Sequence, residues 1–245
     1  MDQQLRKKIE QFVEENIVSF HQARAVNLAN LKLSVLLKAK NPYLFRAKNF
    51  EYASDLIRAL LDARLSSSEE GSFGMFMEEL AIFVAEQTSN GQKSGVTGID
   101  IELTRNGVRY LIAVKSGKNW GNASQHAALK KNFDTAIKVL RQSKHVGELQ
   151  PTLGICYGNF KTVHKSGYQH IGGQSFWHLL SGDVEFYTQI VVPLGHRAKE
   201  FNEAFEVEKA KMYNRMTTEF GVSYCTESGA IDWKKLVEFV SKNMA

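Results

Sequence analysis

A β-hairpin predicted around Asn106-Gly107 constrains the fold of this chain more than any other feature of its sequence. Apolar and polar residues alternate in the run GIDIELTR, residues 98–105, and a second run, VRYLIAVKS, begins directly after the dipeptide. Asn-Gly between two such runs is a strong short-range signal for a two-residue turn between antiparallel strands. We therefore expect Arg105 to pair with Val108 across the turn.

Helical spacing of apolar residues accounts for much of the remaining sequence. The predicted helices are residues 3–39, 53–64, 73–90, 122–143, 198–211 and 232–242, and the further predicted strands are residues 152–159 and 183–195. The serines of LSSSEEGSFG, residues 65–74, are predicted to cap the third helix, which would separate it from the second. This order predicts an α/β fold, in which a mixed central β-sheet is flanked by helices and carries helical extensions at both ends.

Three regions are predicted along the chain. A helical region covers residues 1–45, a core that holds the sheet covers residues 46–197, and a second helical region covers residues 198–245. Because the sheet carries the chemistry described below, the terminal helices are the candidates for an interface between two copies of the chain.

Basic residues are concentrated in the middle of the chain. The net charge is +5, but residues 105–182 contain eleven Lys or Arg residues and two acids. This distribution predicts a surface that faces a polyanion, with a solvated basic face as the alternative.

Several classes of protein are disfavoured by the sequence. No apolar run approaches the roughly 18 residues of a membrane span, and the charged, amphipathic N-terminus does not resemble a signal peptide. Cys156 and Cys225 lie far apart without metal-site spacing, which favours a reduced, cytoplasmic protein. The histidines form no HxxxH pair, so a zinc hydrolase is poorly supported. The sequence also contains neither a P-loop nor a GxGxxG motif.

An acid and a lysine come together in the predicted hairpin. Asp100 and Glu102 are two residues apart and therefore share one face of the first strand. The register that the turn imposes places Asp100 opposite Ala113 and beside Lys115. Carboxylates that hold a divalent cation, with an ammonium group nearby, suit phosphodiester hydrolysis. An ordinary cross-strand ion pair at the rim of the sheet is the alternative.

The order of these features resembles the PD-(D/E)XK nuclease superfamily. TGID, residues 97–100, is similar to the first motif of that superfamily, and AVK, residues 113–115, is similar to the second. The stretches LSSSEEGSFGMFMEELAIFV, GIDIE, YLIAVKSGKNWGN, GICYGN and GGQSFWHLLSG further resemble one branch, the type II restriction endonucleases that read interrupted GG-N-CC-type palindromes. The resemblance implies a restriction-endonuclease-like fold, double-stranded DNA as the substrate, Mg²⁺ as the cofactor and a homodimer. It also implies that Asp100 and the backbone carbonyl of Val114 bind the metal and that Lys115 is catalytic.

Ala113 departs from the family pattern, because the superfamily usually has Glu or Asp there and alanine offers no side-chain ligand. Three acids are candidates to replace it. Glu102 shares the face of Asp100, and Glu78 lies on the helix before the hairpin, where many such nucleases carry an acid. Asp134 lies on the helix after the lysine, but it can also pair with a lysine one turn away. Glu78 and Glu102 are therefore preferred as catalytic residues, with Glu102 also a candidate metal ligand.

Two polar stretches are candidates for contacts to DNA phosphates and base edges. The candidate residues are Lys118, Asn119, Trp120, Asn122, Ser124 and Gln125 in the first stretch, and Lys161, His164, Lys165 and Gln174 in a glycine-punctuated loop. The alternatives are that Asn122 and Ser124 only cap a helix and that the loop is only solvated.

The predicted function is a Mg²⁺-dependent, sequence-specific DNA endonuclease that acts as a homodimer, because two-fold symmetry matches a palindromic site. Two alternatives stay open. One is a repair or recombination nuclease that reads DNA structure, and the other is a catalytically inactive DNA-binding protein of the same fold.

Overall fold

The computed structural model describes residues 1–142 and 147–242. Its helices are α1 Gln3–Ala29, α2 Leu33–Lys38, α3 Pro42–Ala47, α4 Ala53–Ser89, α5 Ala123–Gln142, α6 Gln174–Ser181, α7 Phe186–Gln189, α8 Val191–Leu194, α9 Ala198–Tyr224 and α10 Trp233–Ser241. Its strands are β1 Gln92–Lys93, β2 Ile101–Arg105, β3 Val108–Lys115, β4 Glu148–Ile155, β5 Val163–Lys165 and β6 Tyr168–Gly172.

The strands form one mixed sheet in the order β1-β2-β3-β4-β6-β5. The central pairs β3–β4 and β4–β6 are parallel, and the outer pairs are antiparallel. Arg105 pairs with Val108, and the two turn residues, Asn106 and Gly107, have φ angles of 52° and 80°. The predicted hairpin and the predicted α/β fold with a mixed central sheet are therefore confirmed.

Helices cover both faces of the sheet, which is why the central strands are apolar on both sides. On one face, α5 packs against β3, β4 and β6 in a buried cluster. Its members are Ile99, Leu111, Ala113, Leu129, Phe133, Ala136, Leu153, Ile155 and Tyr168. On the other face, Phe176 of α6 lies directly against Gly154, at a position where a Cβ would overlap its ring.

The chain divides into two compact units. The first contains residues 1–18 and 73–196 and holds the whole sheet, while the second contains residues 19–72 and the described residues from 197 onward. The second unit is helical and has its own core, in which Leu36, Ile57 and Phe220 are fully buried. The predicted regions 1–45, 46–197 and 198–245 stay a prediction, because compactness does not assign dimerisation or catalysis to a region.

The predicted break between two helices near residues 65–74 is wrong, since α4 runs without interruption from Ala53 to Ser89. The serines in this stretch do not cap a helix. The hydroxyl of Ser67 donates to the carbonyl of Ala63 at 3.0 Å, and the hydroxyl of Ser72 donates one turn back to the carbonyl of Ser68 at 3.1 Å. These bonds satisfy the hydroxyls inside a continuous helix. The first predicted helix, in contrast, ends at Ala29, earlier than expected.

Two further assignments are corrected near the end of the core. Residues 183–195, predicted as a strand, form α7 and α8, because the buried residues Phe186, Ile190 and Pro193 recur at helical spacing. The glycine-punctuated stretch predicted as a loop contains β5 and β6, which Ser166 and Gly167 join with φ angles of 59° and 85°. The last residue of the predicted helix 122–143 lies outside the described residues.

Across residues 1–142 and 147–242, none of the helices is both long enough and apolar enough to cross a membrane.

The continuity of α4 is tested by Gly71→Ala. Nothing lies within 4 Å of a Cβ at this position. Alanine should therefore raise the free energy of unfolding by roughly 0.5–1 kcal/mol, because it removes backbone entropy from the unfolded chain and fits a helix interior. Chemical denaturation monitored by circular dichroism measures the change.

Gly154→Ala is the contrasting variant, because its Cβ would overlap Phe176 in the core. Overpacking of this kind costs about 1–3 kcal/mol. If Gly71→Ala destabilised the protein as much as Gly154→Ala, the helix would not be continuous there.

Candidate active site and nucleic-acid interface

The carboxylate of Asp100 is held at the point where β2 begins. The backbone N–H of Asp100 donates to the carbonyl of Ile112 at 2.8 Å, next to the last regular pair of the hairpin, Ile101 with Ile112. The Oδ2 atom of Asp100 accepts the backbone N–H of Val114 at 2.6 Å. The side chain thus takes the place of a strand carbonyl beyond the last regular pair, and a charge-assisted bond of this length is strong.

Lys115 is the last residue of β3, and its Nζ lies 3.8 Å from the same Oδ2 atom. The side chains of Lys115 and Asp100 are 29% and 18% exposed, so the pair opens to solvent at the carboxyl end of the strand. The Nζ atom also lies 5.6 Å from the ring centroid of Trp120, within the range of a cation–π contact. The structure therefore brings together the acid and the lysine that the sequence singled out.

Gly98 positions the segment that delivers Asp100 to the sheet. Its φ angle is 79°, and a Cβ at this position would overlap the carboxamide of Asn132 on α5. A side chain would therefore be strained here as well as obstructed. Glycine is required for α5 to pack closely behind the acid.

Glu78 reaches the same region from α4. Gly74, one turn earlier on that helix, faces Ser116, whose Oγ would lie 3.1 Å from a Cβ at Gly74. Burial raises the pKa of the half-buried Glu78 carboxyl, and the negative charge of Asp100 raises it further, while the positive charge of Lys115 opposes the shift. Glu78, Asp100 and Lys115 therefore share one electrostatic environment.

The backbone of Val114 faces the same place. The N–H of Val114 points to the β2 side of β3, as the carbonyl of Ile112 does, because both bond to Asp100. In an extended strand the N–H and C=O of one residue point to the same side. The carbonyl of Val114 is therefore directed toward the side of the strand on which Asp100 lies.

These oxygen donors fit a hard divalent cation. Within the described ranges, no group of three or more His, Cys, Asp or Glu side chains is placed to hold a metal ion. A cation here would depend on two carboxylates, one backbone carbonyl and water. Mg²⁺ is commonly bound in this way, through one or two carboxylates with several retained waters. The mutual repulsion that contributes to the raised pKa of Glu78 is also what a bound cation would relieve.

The other two candidate acids are engaged elsewhere. Glu102 is 7% exposed, and its two oxygens accept bonds from the Ser94 hydroxyl at 2.7 Å and from the Arg109 guanidinium at 2.6 Å. Asp134 is exposed and pairs with Lys130, one turn earlier on α5, at 2.7 Å. The structure does not bring Asp134 to the Asp100–Lys115 pair, and it gives Glu102 a buried ion pair of its own.

Cys156 also lies near the lysine, because its backbone N–H donates to the carbonyl of Lys115 at 2.9 Å. Burial raises the pKa of the Cys156 thiol to about 12. The thiol therefore stays protonated at neutral pH and is not a nucleophile.

The predicted DNA-contact residues fall into two groups. Lys118, Asn119 and Trp120 lie in the loop that follows β3, and Lys118 and Asn119 are exposed. Lys161 precedes β5, while His164 and Lys165 are exposed on that edge strand. Both groups are basic and accessible, as contacts to phosphates require.

Four of the predicted contact residues form hydrogen bonds within the protein. Asn122 caps α5, since its Oδ1 accepts the N–H of Gln125 at 3.0 Å and the hydroxyl of Ser124 at 2.7 Å. The side chain of Gln125 accepts the N–H of Asn122 in return, which completes a reciprocal capping arrangement. Gln174 donates to the carbonyl of Val184 at 3.1 Å.

A group of rings beside α5 was missed at the level of sequence. His126, Tyr168 and His170 stack against one another on the sheet face that α5 covers. The spacing of two between Tyr168 and His170 in YQHIG is the signal that places both on one strand face, but this stretch was interpreted as a loop.

The fold and this geometry define the class of protein. A mixed sheet flanked by helices, with an acid and a lysine at the ends of neighbouring strands, is a restriction-endonuclease-like α/β architecture. The family model for the type II restriction endonuclease EcoO109I matches residues 7–202. The chain therefore belongs to the type II restriction endonuclease EcoO109I family, and it is a nuclease of a restriction system with DNA as its substrate. A search of curated proteins finds no match to the chain.

The environment of Glu78 makes stability depend on pH in a defined direction. Because the folded-state pKa is raised, the wild-type protein loses stability as pH rises from the ordinary glutamate range through that raised value. Glu78→Gln removes this loss. In EDTA the variant should melt at a higher temperature than wild type at pH 8, and the difference should disappear near pH 4.

The exposed neighbour Glu79 supplies the control, and Glu79→Gln should change the free energy of unfolding by less than about 0.5 kcal/mol. A difference between Glu78→Gln and wild type that did not change with pH would contradict the electrostatic environment described for this carboxyl.

Proposed function

We propose that this protein is a Mg²⁺-dependent, site-specific endonuclease of the PD-(D/E)XK type that cleaves both strands of double-stranded DNA as a homodimer. The observation that carries the proposal is the placement of Asp100 and Lys115, 3.8 Å apart at the end of β3, with Glu78 in the same electrostatic environment. The family match supports nuclease chemistry, and the geometry supports these residues as its centre.

Asp100, Glu78 and the carbonyl of Val114 are proposed to hold the cation. When bound, the cation would supply Lewis-acid polarisation of the scissile phosphate. Asp100 is well suited as an anchor because Val114 fixes one of its oxygens, while its Oδ1 accepts no hydrogen bond within the described parts of the chain. Glu78 is proposed to supply the carboxylate ligand that the alanine side chain at position 113 cannot provide.

Lys115 is proposed to act on the phosphate and on the attacking water. Its ammonium group donates hydrogen bonds, so it can orient the water and stabilise the negative charge that develops on the phosphate oxygens. The oxygen of the water forms the new bond to phosphorus, and the bond to O3′ breaks, which leaves a 3′-hydroxyl and a 5′-phosphate. Trp120, beside the ammonium group, limits the rotamers from which Lys115 can act.

The recognition sequence is proposed to be an interrupted palindrome of the GG-N-CC type. A palindrome presents the same contacts twice about a two-fold axis, so a symmetric dimer places one catalytic centre on each strand. The terminal helices are the proposed interface, because the sheet is occupied by the site. The free thiols of Cys156 and Cys225 are compatible with action in the reducing cytoplasm.

Lys115→Ala should reduce cleavage of a plasmid substrate by about 10²- to 10⁴-fold in Mg²⁺, because the positioned proton donor is lost. DNA affinity should change little, since most binding free energy comes from contacts distributed along the backbone. Gel-based cleavage and fluorescence anisotropy measure the two quantities. Full activity in this variant would refute the assignment of the site.

A matched pair of variants distinguishes the two acids. Glu78→Gln should lower cleavage by at least about 10²-fold, as loss of a preorganised charge at a reacting centre does, and it should weaken the stabilisation of the protein by added Mg²⁺. Glu102→Gln should instead lower the melting temperature, because Arg109 is left with a partly buried, unpaired charge, and it should retain cleavage at permissive temperature. The reverse pattern would move the metal site to Glu102.

Digestion of plasmids of known sequence tests the proposed function as a whole. Discrete, reproducible fragments in Mg²⁺ and none in EDTA are expected. Cutting confined to branched or damaged DNA would indicate a structure-specific nuclease. Sequence-specific binding without cutting would indicate that Ala113 marks the loss of catalysis.

A further inference from the structure

A cavity of about 690 Å³ lies beside the first turn of α5, separate from the Asp100–Lys115 site. Both small residues and basic residues line it. The basic lining residues are His126, Lys130, Lys165 and His170. None of the lining residues in the described chain is acidic.

The imidazole rings in this cavity are held in defined positions. The Nδ1 of His126 is 2.7 Å from the hydroxyl of Tyr168, and the ring of Tyr168 stacks on His170 at 4.8 Å with an interplanar angle of 4°. Gly121 has a φ angle of 96°, and a Cβ there would lie 2.7 Å from the Nε2 of His126. The backbone at Gly121 therefore leaves space that the His126 ring occupies.

The basic side chains of this cavity can form further ionic interactions and hydrogen bonds. The Nε2 of His170 is buried and has no hydrogen-bond partner within the described residues. Burial lowers the pKa of His170, and the neighbouring His126 and Lys165 lower it further. Buried nitrogen atoms without a partner are the kind of group that a bound water or ion satisfies. Mutual repulsion among basic groups is relieved when an anion binds among them.

Two of the positive groups beside the cavity are already partly engaged within the protein. Lys130 already pairs with the exposed Asp134 at 2.7 Å, so part of its charge is compensated. The N-terminal amides of α5 are also partly used, because Asn122 caps the helix. The positive charge available to a ligand therefore comes chiefly from Lys165, while the imidazoles of His126 and His170 contribute hydrogen-bonding nitrogen atoms.

The cavity is connected to the catalytic lysine through one ring. Trp120 lies against His126 with ring centroids 5.3 Å apart, and the Nζ of Lys115 lies 5.6 Å from the centroid of the same Trp120. A group bound in the cavity is thus one aromatic side chain away from Lys115. This arrangement suits a polyanion with regularly spaced charges, of which one reaches the lysine and another reaches the cavity.

We infer that this cavity, bounded by His126, His170 and Lys165, is a second phosphate site that binds a backbone phosphate of the DNA strand flanking the one at Lys115. The inference rests on the proposed function and adds a phosphate-binding residue set that lies outside the catalytic centre. A phosphodiester carries the single negative charge and the acceptor oxygens that imidazole and ammonium groups bind. The volume of the cavity also admits the adjoining sugar.

Lys165→Ala is the first test, with Lys131→Ala as the matched control. Both lysines are exposed, but Lys131 does not line the cavity. In EDTA, where cleavage is prevented, Lys165→Ala should weaken binding to cognate and non-cognate duplexes alike. It should reduce the slope of log K against log salt by about 1, as loss of one phosphate contact does. Lys131→Ala should leave the slope unchanged, and equal slopes for all three proteins would overturn the inference.

A methylphosphonate scan of the duplex identifies the phosphate. Replacing one phosphate with a neutral methylphosphonate should weaken binding by the wild type at the flanking position and should cause no further loss in Lys165→Ala. At every other position the two changes should be additive. Additivity at all positions would overturn the assignment to the DNA backbone.

Titration with inorganic phosphate, without DNA, distinguishes a DNA backbone phosphate from free phosphate as the ligand of the cavity. Ring-proton NMR signals of His126 and His170 should shift in wild type and in Lys131→Ala, and the shift should be weaker in Lys165→Ala. A shift with phosphate combined with additivity in the scan would mean that the cavity binds free phosphate, which would overturn the DNA assignment. Wild-type protein that binds DNA but shows neither effect would refute the inference and leave the proposed nuclease intact, whereas absence of DNA binding would refute the proposed function itself.

Discussion

The hydrogen bond from the Val114 amide to the Asp100 carboxylate is the contact on which the site depends. It joins an acid on one strand to the backbone of the next, at 2.6 Å, just where regular pairing ends. The Asn106-Gly107 turn makes this contact possible, because it determines the register. A one-residue slip would turn Asp100 to the opposite face. The turn, the register and Gly98 therefore act together to place one carboxylate beside Lys115.

The charges around that contact reduce stability in the metal-free protein at a residue that the proposed function would use. Glu78 is held in a partly buried position near a second carboxylate, and burial and repulsion both raise its pKa. A chain selected only for stability would replace this residue with a neutral one. Retaining it is reasonable where a cation is to be bound, because the same repulsion that weakens the metal-free fold increases the gain from binding. Glu102 shows the contrast, since Arg109 already neutralises it.

The parts of the structure that depend on local chemistry could be predicted from the sequence, and the parts that depend on tertiary packing could not. The Asn-Gly turn, the alternation in β2 and the Asn122 cap are local signals, and all three correspond to the structure. The continuous α4 was missed because serines that suit a cap can also bond within a helix. Strand periodicity predicted that Glu102 shares the face of Asp100, but it could not show that Arg109 would occupy the Glu102 carboxylate. The cavity beside α5 was beyond prediction, because it combines residues from a helix, a loop and two strands.

The substitution at Ala113 connects these observations. An acid on β3 would be held by the sheet itself, whereas Glu78 is carried by a helix that packs on the sheet through contacts such as Gly74 against Ser116. A ligand on a separate element can shift with that element, and small displacements at a reacting centre are costly. The proposed phosphate site beside α5 would reduce that freedom, because a strand held at two phosphates cannot move relative to Lys115 as easily as one held at a single point. The Trp120 ring, in contact with both Lys115 and His126, is placed where the two anchoring points would meet. In the proposed nuclease, the basic cavity would therefore compensate for a metal ligand carried on α4 instead of on β3, because it would position the substrate more firmly.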